Sequence, residues 1–378
     1  MEIKKKKKLV RTAAALLFAA LAAAAFFLLQ ALLVPKYMDK ETDGGVEGSL
    51  VAEYYSSVKG HDVLFFGDCE FYQGINPAAI WDECRIASYV RGSSQQLIWH
   101  SYYMMLESFE YEKPAAVVFN AVEMKIGAVR KEEYTRLTLD GMRLSKYKLE
   151  AAKKSLTEGE TLASYVFPIL RYHGRWNQLT EDDFRYWFKR DKISYNGYLM
   201  HVGTVPRTST QAPAMVFDYA FPDVCWEYLD LMRTACEERG VKFIIVKMPT
   251  NIWQYPWYPE WEEQMEKYAA EHSVLYVNLT SENDTKITSP GWENPAPGEE
   301  GHLDYSHYEL AGLSSQTDSF DGGFHTNDVG SEKISRYLAR IIAAEIEIPD
   351  RDQSSPTAKE YDALTELWKR DSGKTTEK

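Results

Sequence analysis

Val63-Leu-Phe-Phe-Gly-Asp-Cys-Glu-Phe-Tyr72 is the stretch on which the reading of this chain turns. Four apolar residues in succession, Val63 to Phe66, have the pattern of a short strand buried on both faces. Gly67-Asp68-Cys69 is a sharp polar exit from it. In an open parallel α/β sheet, ligands gather outside the carboxyl ends of the strands. Cys69 therefore falls where a nucleophile belongs, close to a helix start that tolerates negative charge. The plainer reading is a small buried cysteine after a core strand. What the other strand ends carry decides between the two.

Downstream, Asn76-Pro77 supplies a cap and a first-turn proline, so a short helix starts there. Residues 86–90 read as a second strand ending in Arg91-Gly-Ser-Ser94. Residues 95–111 read as a helix with apolar side chains at mixed three and four spacing. Pro114 resets the chain, and 115–119 is a third strand with Asn120 at its end. This is a βαβαβ unit, and right-handed crossovers put Cys69, Gly92 and Asn120 on one edge of the sheet.

Residues 124–215 break the rhythm. They hold a helical stretch at 132–156 and the cluster Tyr165-Val-Phe-Pro-Ile-Leu-Arg-Tyr-His-Gly-Arg-Trp176. An interruption this long reads as an inserted cap. His173, Arg175 and Trp176 are candidate substrate contacts, the alternative being that Arg175 pairs with an acid inside a folded cap. The alternation returns with a helix at 223–239 closed by Gly240. A strand at 242–246 leads into Lys247-Met-Pro249, with Lys247 a further candidate substrate contact. A helix at 259–272, a strand at 274–278 and a last helix at 329–345 complete the α/β domain, 60–346. The charged tail, 347–378, is expected to be ordered only in part.

The N-terminus has five consecutive lysines, Lys4 to Lys8, and Arg11, in a basic segment, 1–11. Residues 12–34 follow with only Thr12 and Gln30 polar, enough to cross a hydrocarbon core of ~30 Å as a helix. A cleaved signal has a shorter apolar core; this one reads as an uncleaved signal anchor, with cleavage among the alanines left open. The basic cluster stays cytoplasmic, so the expectation is a single-pass membrane protein with its main domain outside the cell. Residues 35–59 read as a polar stem.

The formal charge of −13 argues against nucleic-acid binding, which depends on neutralising phosphates. Four cysteines do not make a disulfide scaffold. Cys225 and Cys236 share one expected helix; a Cys69–Cys84 bridge would silence Cys69. A thiol redox role lacks a resolving cysteine at short spacing. His302, Asp304 and His307 lie close in sequence, but two histidines and an aspartate in a polar loop are weak evidence of a metal.

Acyl transfer needs a nucleophile, a base, a group that orients the base, and donors for the oxyanion. Cys69, His325 and Asp321 fill the first three roles. Backbone N–H groups near Cys69 and Gly92, with the Asn120 amide, fill the fourth. Gly67-Asp-Cys69, Gly92, Asn120 and Asp321…His325-x-Asn327-x-x-Gly330 resemble the blocks of the SGNH/GDSL hydrolase superfamily. More narrowly, Phe66-Gly-Asp-Cys-Glu70, Arg91-Gly-Ser-Ser94 and Arg171-Tyr-His-Gly-Arg-Trp176 resemble membrane-anchored extracytoplasmic members from Gram-positive bacteria. The resemblance spans residues ~60–345, each motif being weak alone. It implies a flavodoxin-like three-layer α/β/α sandwich and a Cys/His/Asp esterase or O-acyltransferase with no metal and no cofactor. Its substrate would be acyl groups of an envelope glycan or related polymer, with a membrane acyl-donor protein as partner. Cysteine stands where the family has serine. Three residues separate Asp321 from His325 where the family has two, which leaves Asp318 as a second candidate orienter. A non-catalytic binding or assembly component on the same fold is the alternative.

Overall fold

A computed structural model describes residues 2–35, 47–189, 192–207, 218–249 and 257–374. The chain divides into two compact units, Met1–Val46 with Glu158–Lys192, and Glu47–Thr157 with Ile193–Lys378.

The second unit is built on five parallel strands in the order β2-β1-β3-β4-β5: β1 Val63–Gly67, β2 Ser88–Gly92, β3 Ala116–Asn120, β4 Lys242–Lys247 and β5 Leu275–Asn278. Every residue of β1, β2 and β3 is buried, as both-sided coverage by helices requires. Successive side chains alternate between faces. Val63 and Phe65 enter a core with Phe71, Ile80, Ile334, Leu338 and Ile342. On that side the helices Cys69–Gly74, Pro77–Cys84, Asp328–Glu345 and Pro356–Asp371 pack on one another. The helices Ile98–Ser108, Lys146–Ser155 and Asp223–Glu237 form a second packed group. The result is a three-layer α/β fold.

The sheet order reverses between β1 and β3, because β2 lies on the outer side of β1 while β3, β4 and β5 follow on the other. Such a reversal opens a crevice at the strands' carboxyl ends. Register aligns those ends: Gly67 pairs with Gly92, Phe66 with Phe119, Asn120 with Val246 and Lys247 with Asn278.

Three boundaries differ from expectation. The later part of the expected stem belongs to the α/β unit: Glu47–Glu53 is a helix, and Leu50, Val51 and Tyr54 are buried. The tail forms the helix Pro356–Asp371, capped by Ser355, whose side chain accepts from the Ala358 N–H. Ala358, Tyr361, Leu364 and Trp368 recur at helical spacing and are buried with Trp81, whose ring lies 5.1 Å from that of Tyr361. Charge on the other face had masked this stripe. The third difference concerns the insertion, only part of which stands apart. Glu132–Leu139 and Lys146–Ser155 belong to the α/β unit, where Ser155 Oγ bridges Trp99 Nε1 and His100 Nε2 at 2.8 Å each. Residues 158–192 group with the N-terminal helix instead.

That helix, Glu2–Leu33, contains within Ile3–Leu33 an 18-residue stretch of mean hydropathy 2.5, long and apolar enough to cross a membrane.

Candidate active site

Gly67 ends β1 in a cramped position: a Cβ there would lie 2.7 Å from the Phe71 ring and 2.8 Å from Asn120 Cβ. Asp68 follows in extended conformation and caps the Cys69–Gly74 helix, its Oδ1 accepting from the Glu70 N–H at 3.0 Å. Cys69 is therefore the first helical residue. It lies outside any disulfide and is half-buried at the edge of the main core. Gly92 has no room for a side chain either, since a Cβ would lie 2.8 Å from the Gly67 carbonyl oxygen.

Across the switch point, Asn120 Nδ2 donates to Asp68 Oδ1 at 3.1 Å and to Glu70 Oε2 at 3.3 Å. Its Oδ1 accepts from the Val122 N–H at 3.2 Å. The expected role of Asn120 as an oxyanion donor is thus not what the geometry displays: both of its N–H hydrogens are engaged by buried carboxylates. An amide has two donor hydrogens and no more.

A polar network missed by sequence reasoning lies beneath this edge. Burial, and then the Glu70 carboxylate, push the Asp68 carboxyl up to about 7, against the pull of the Glu70 N–H, His325 and Lys247. Burial likewise raises Glu123 well above the usual carboxylate range; Ser101 Oγ donates to both its oxygens at 3.0 and 2.7 Å. Lys247, expected at a substrate, is wholly buried, its ammonium donating to the Met248 carbonyl at 2.6 Å. Burial lowers its pKa, opposed by Glu70, Glu262 and Asp68. Burial and then Lys247 bring Lys125 down to about 7. One sign was legible: acids at 68 and 70 on the exit of an all-apolar strand require partners inside.

His325 stands before the Asp328–Glu345 helix, on a loop that carries two positive-φ glycines, Gly322 and Gly323. Asp321 Oδ1 accepts from the Phe324 and His325 N–H groups at 2.9 Å each, and its Oδ2 meets His325 Nδ1 at 2.7 Å. The glycine pair thus lets the carboxylate reach the ring across three intervening residues. Burial opposes ionisation of Asp321, but the hydrogen bonds from His325 outweigh it and hold the carboxyl below its usual range. The imidazole stacks on Phe320 at 6.0 Å and 14°. Its Nε2 is buried and makes no hydrogen bond among the described residues. Asp318 is engaged elsewhere, by Lys333 Nζ at 2.8 and 2.9 Å and by the Ser314 N–H at 2.8 Å.

A hydrogen bond ties this loop to the C-terminal end of the Cys69–Gly74 helix. Thr326 Oγ1 donates to the Gln73 carbonyl at 3.4 Å. Beside His325 a shallow groove of about 40 Å³ is lined by Arg207, Tyr308, Ser315 and Ser319, with Arg207 ion-paired to Asp284.

His173, Arg175 and Trp176 belong to the unit of the N-terminal helix, not to the unit bearing Cys69. Arg175 pairs with Asp183 at 3.1 Å and donates to the Leu33 carbonyl at 2.7 Å, which realises the structural alternative for that residue. His302 Nδ1 meets the Pro295 carbonyl and His307 Nδ1 the Tyr337 hydroxyl. Among the described residues no group of three metal-ligating side chains occurs.

The chain matches no model of a known protein family, and no curated protein is significantly similar to it. Fold and geometry alone therefore define what it is: an α/β protein with a doubly wound parallel sheet, an N-terminal helix long and apolar enough to cross a membrane, a histidine–carboxylate pair before the Asp328–Glu345 helix, and a cysteine at a strand end.

Proposed function

We propose that this protein is a membrane-anchored, SGNH-like esterase or O-acyltransferase of the bacterial cell surface, with Cys69 as nucleophile. The observation that carries the reading is the imidazole of His325. Its Nδ1 is fixed by Asp321 while its buried Nε2 has no partner among the described residues, the state a general base requires.

In the proposed reaction His325 Nε2 takes the Cys69 thiol proton as Sγ adds to the acyl carbonyl. Backbone N–H groups near Cys69 and Gly92 face the developing oxyanion. Collapse of the adduct breaks the ester C–O bond, and the imidazolium gives its proton to the departing alkoxide. Water or a second hydroxyl then attacks the thioester, with His325 again taking a proton, and the thiol is restored. The substrate would be acyl groups on an envelope glycan or related polymer. A membrane acyl-donor protein would supply them if the reaction is transfer. The basic N-terminal cluster orients the anchor with the main domain outside.

The second reading is a non-catalytic binding or assembly component on the same fold. One observation favours it: Asn120, whose amide would serve an oxyanion, is engaged by two carboxylates.

Hydrolysis of an aryl acetate by the full chain in detergent separates the two readings. Loss of turnover in Cys69→Ala is expected. Turnover that survives this substitution would remove Cys69 from the mechanism, and no turnover by the unmodified protein would favour the binding reading.

A further inference from the structure

We propose that residues 167–188 form a collar that lies in the outer head-group region of the bilayer around the end of the membrane helix, with lipid as its partner. The unit formed by Met1–Val46 and Glu158–Lys192 carries this inference by itself. It does not depend on the activity proposed above.

The first observation is contact with the helix at two depths. The Phe167 ring lies 5.9 Å from that of Phe26, edge to face. Arg175 Nη1 donates to the carbonyl of Leu33, one of the orphan acceptors that a helix end leaves open. Phe26 and Leu33 are seven positions apart, about 10 Å along a helix axis. Leu32 and Leu33 are buried, whereas Leu16, Leu17, Phe18 and Leu21 nearer the N-terminus are exposed. The segment therefore covers the last turns of an otherwise uncovered apolar helix, reaching below its end by about the 5–10 Å to which interfacial helices sink.

The second observation is what the segment exposes. Phe167, Leu170, Trp176, Phe184, Trp187 and Phe188 are all exposed, Trp176 to 72% and Phe188 to 89%. Six large apolar side chains within 22 residues contrast with nine such residues scattered along the described residues of the other unit. In water this concentration is unfavourable. Trp beside Phe and Leu is the composition of a membrane–water interface. The charges are largely spent internally: Arg175 pairs with Asp183 and Arg185 with Asp182. With five acidic and four basic side chains over 158–189, the segment has no net positive charge to draw it to anionic lipid. Apolar and aromatic burial is what holds it, and a protein partner is the alternative occupant.

The test uses the full chain in nanodiscs of dioleoylphosphatidylcholine, with and without the same lipid brominated near its head group. Bromine quenches tryptophan on contact. Comparing the unmodified protein with Trp176→Phe/Trp187→Phe isolates these two indoles, and circular dichroism checks that the fold is kept. The expected result is clear quenching of the unmodified protein and loss of at least half of it in the double variant. Equal quenching in both proteins, or none in either, would place these indoles in water or against a protein and overturn the proposal.

Discussion

Asp68→Asn should stabilise the protein in alkaline solution and leave its stability almost unchanged in acid. The asparagine Oδ1 keeps both bonds that Asp68 Oδ1 accepts, from the Glu70 N–H and from Asn120, and asparagine is an equal helix cap. What disappears is a charge buried beside Glu70. The carboxyl of Asp68 is raised from 3.8 to about 7. A carboxyl bound more tightly to its proton in the folded state favours folding below its unfolded pKa. That contribution is lost as pH rises through the folded value, so the window runs from about pH 4 to pH 7. The full span corresponds to about 4 kcal/mol at 1.36 kcal/mol per unit. Since Glu70 shares the repulsion, the variant should gain about 2–4 kcal/mol at pH 8 and close to nothing at pH 4. For a domain of this size that is a rise in melting temperature of roughly 5–10 °C. Calorimetry in detergent across this range measures it. A difference that does not grow with pH, or a variant less stable at pH 8, would refute the buried-charge argument.

Other expectations follow from the same geometry. Asp321→Asn should lower aryl ester turnover roughly 10²–10⁴-fold by disturbing the base, whereas Asp318→Asn should cost stability through Lys333 and leave turnover within a few-fold; the reverse order would exchange the two roles. Gly92→Ala forces a methyl group against the Gly67 carbonyl and should cost about 1–3 kcal/mol, read as a lower melting temperature. Trp368→Ala should cost about 3–5 kcal/mol and expose the Pro356–Asp371 helix to limited proteolysis; resistance equal to the unmodified protein would mean that the helix is not docked.

The sheet was legible because its signals are local. Val63 to Phe66 is an unbroken apolar run, and Asn76-Pro77 and Pro259 mark helix starts in the sequence itself; the helix Pro259–His272 falls where it was expected. The Pro356–Asp371 helix was hidden by its charged face, although Ser355-Pro356 and the Ala358, Tyr361, Leu364 and Trp368 spacing announce it. The site was legible only as a set of strand ends. Which partner a strand-end side chain chooses depends on what the next strand brings beside it. Asn120 therefore holds carboxylates, and Lys247 is drawn under the sheet edge. The choice between Asp318 and Asp321 was closed by a tertiary ion pair to Lys333 and by the turn at Gly322-Gly323, neither visible in spacing alone.

The most direct test of thiol chemistry at this site is the intact mass of the full chain after brief exposure to an activated acyl ester, with the modified residue located by peptide mapping. The account predicts one acyl group as a thioester on Cys69, absent in Cys69→Ala and strongly reduced in His325→Ala. An unmodified Cys69, or acylation of Cys69 at the same rate without His325, would contradict it.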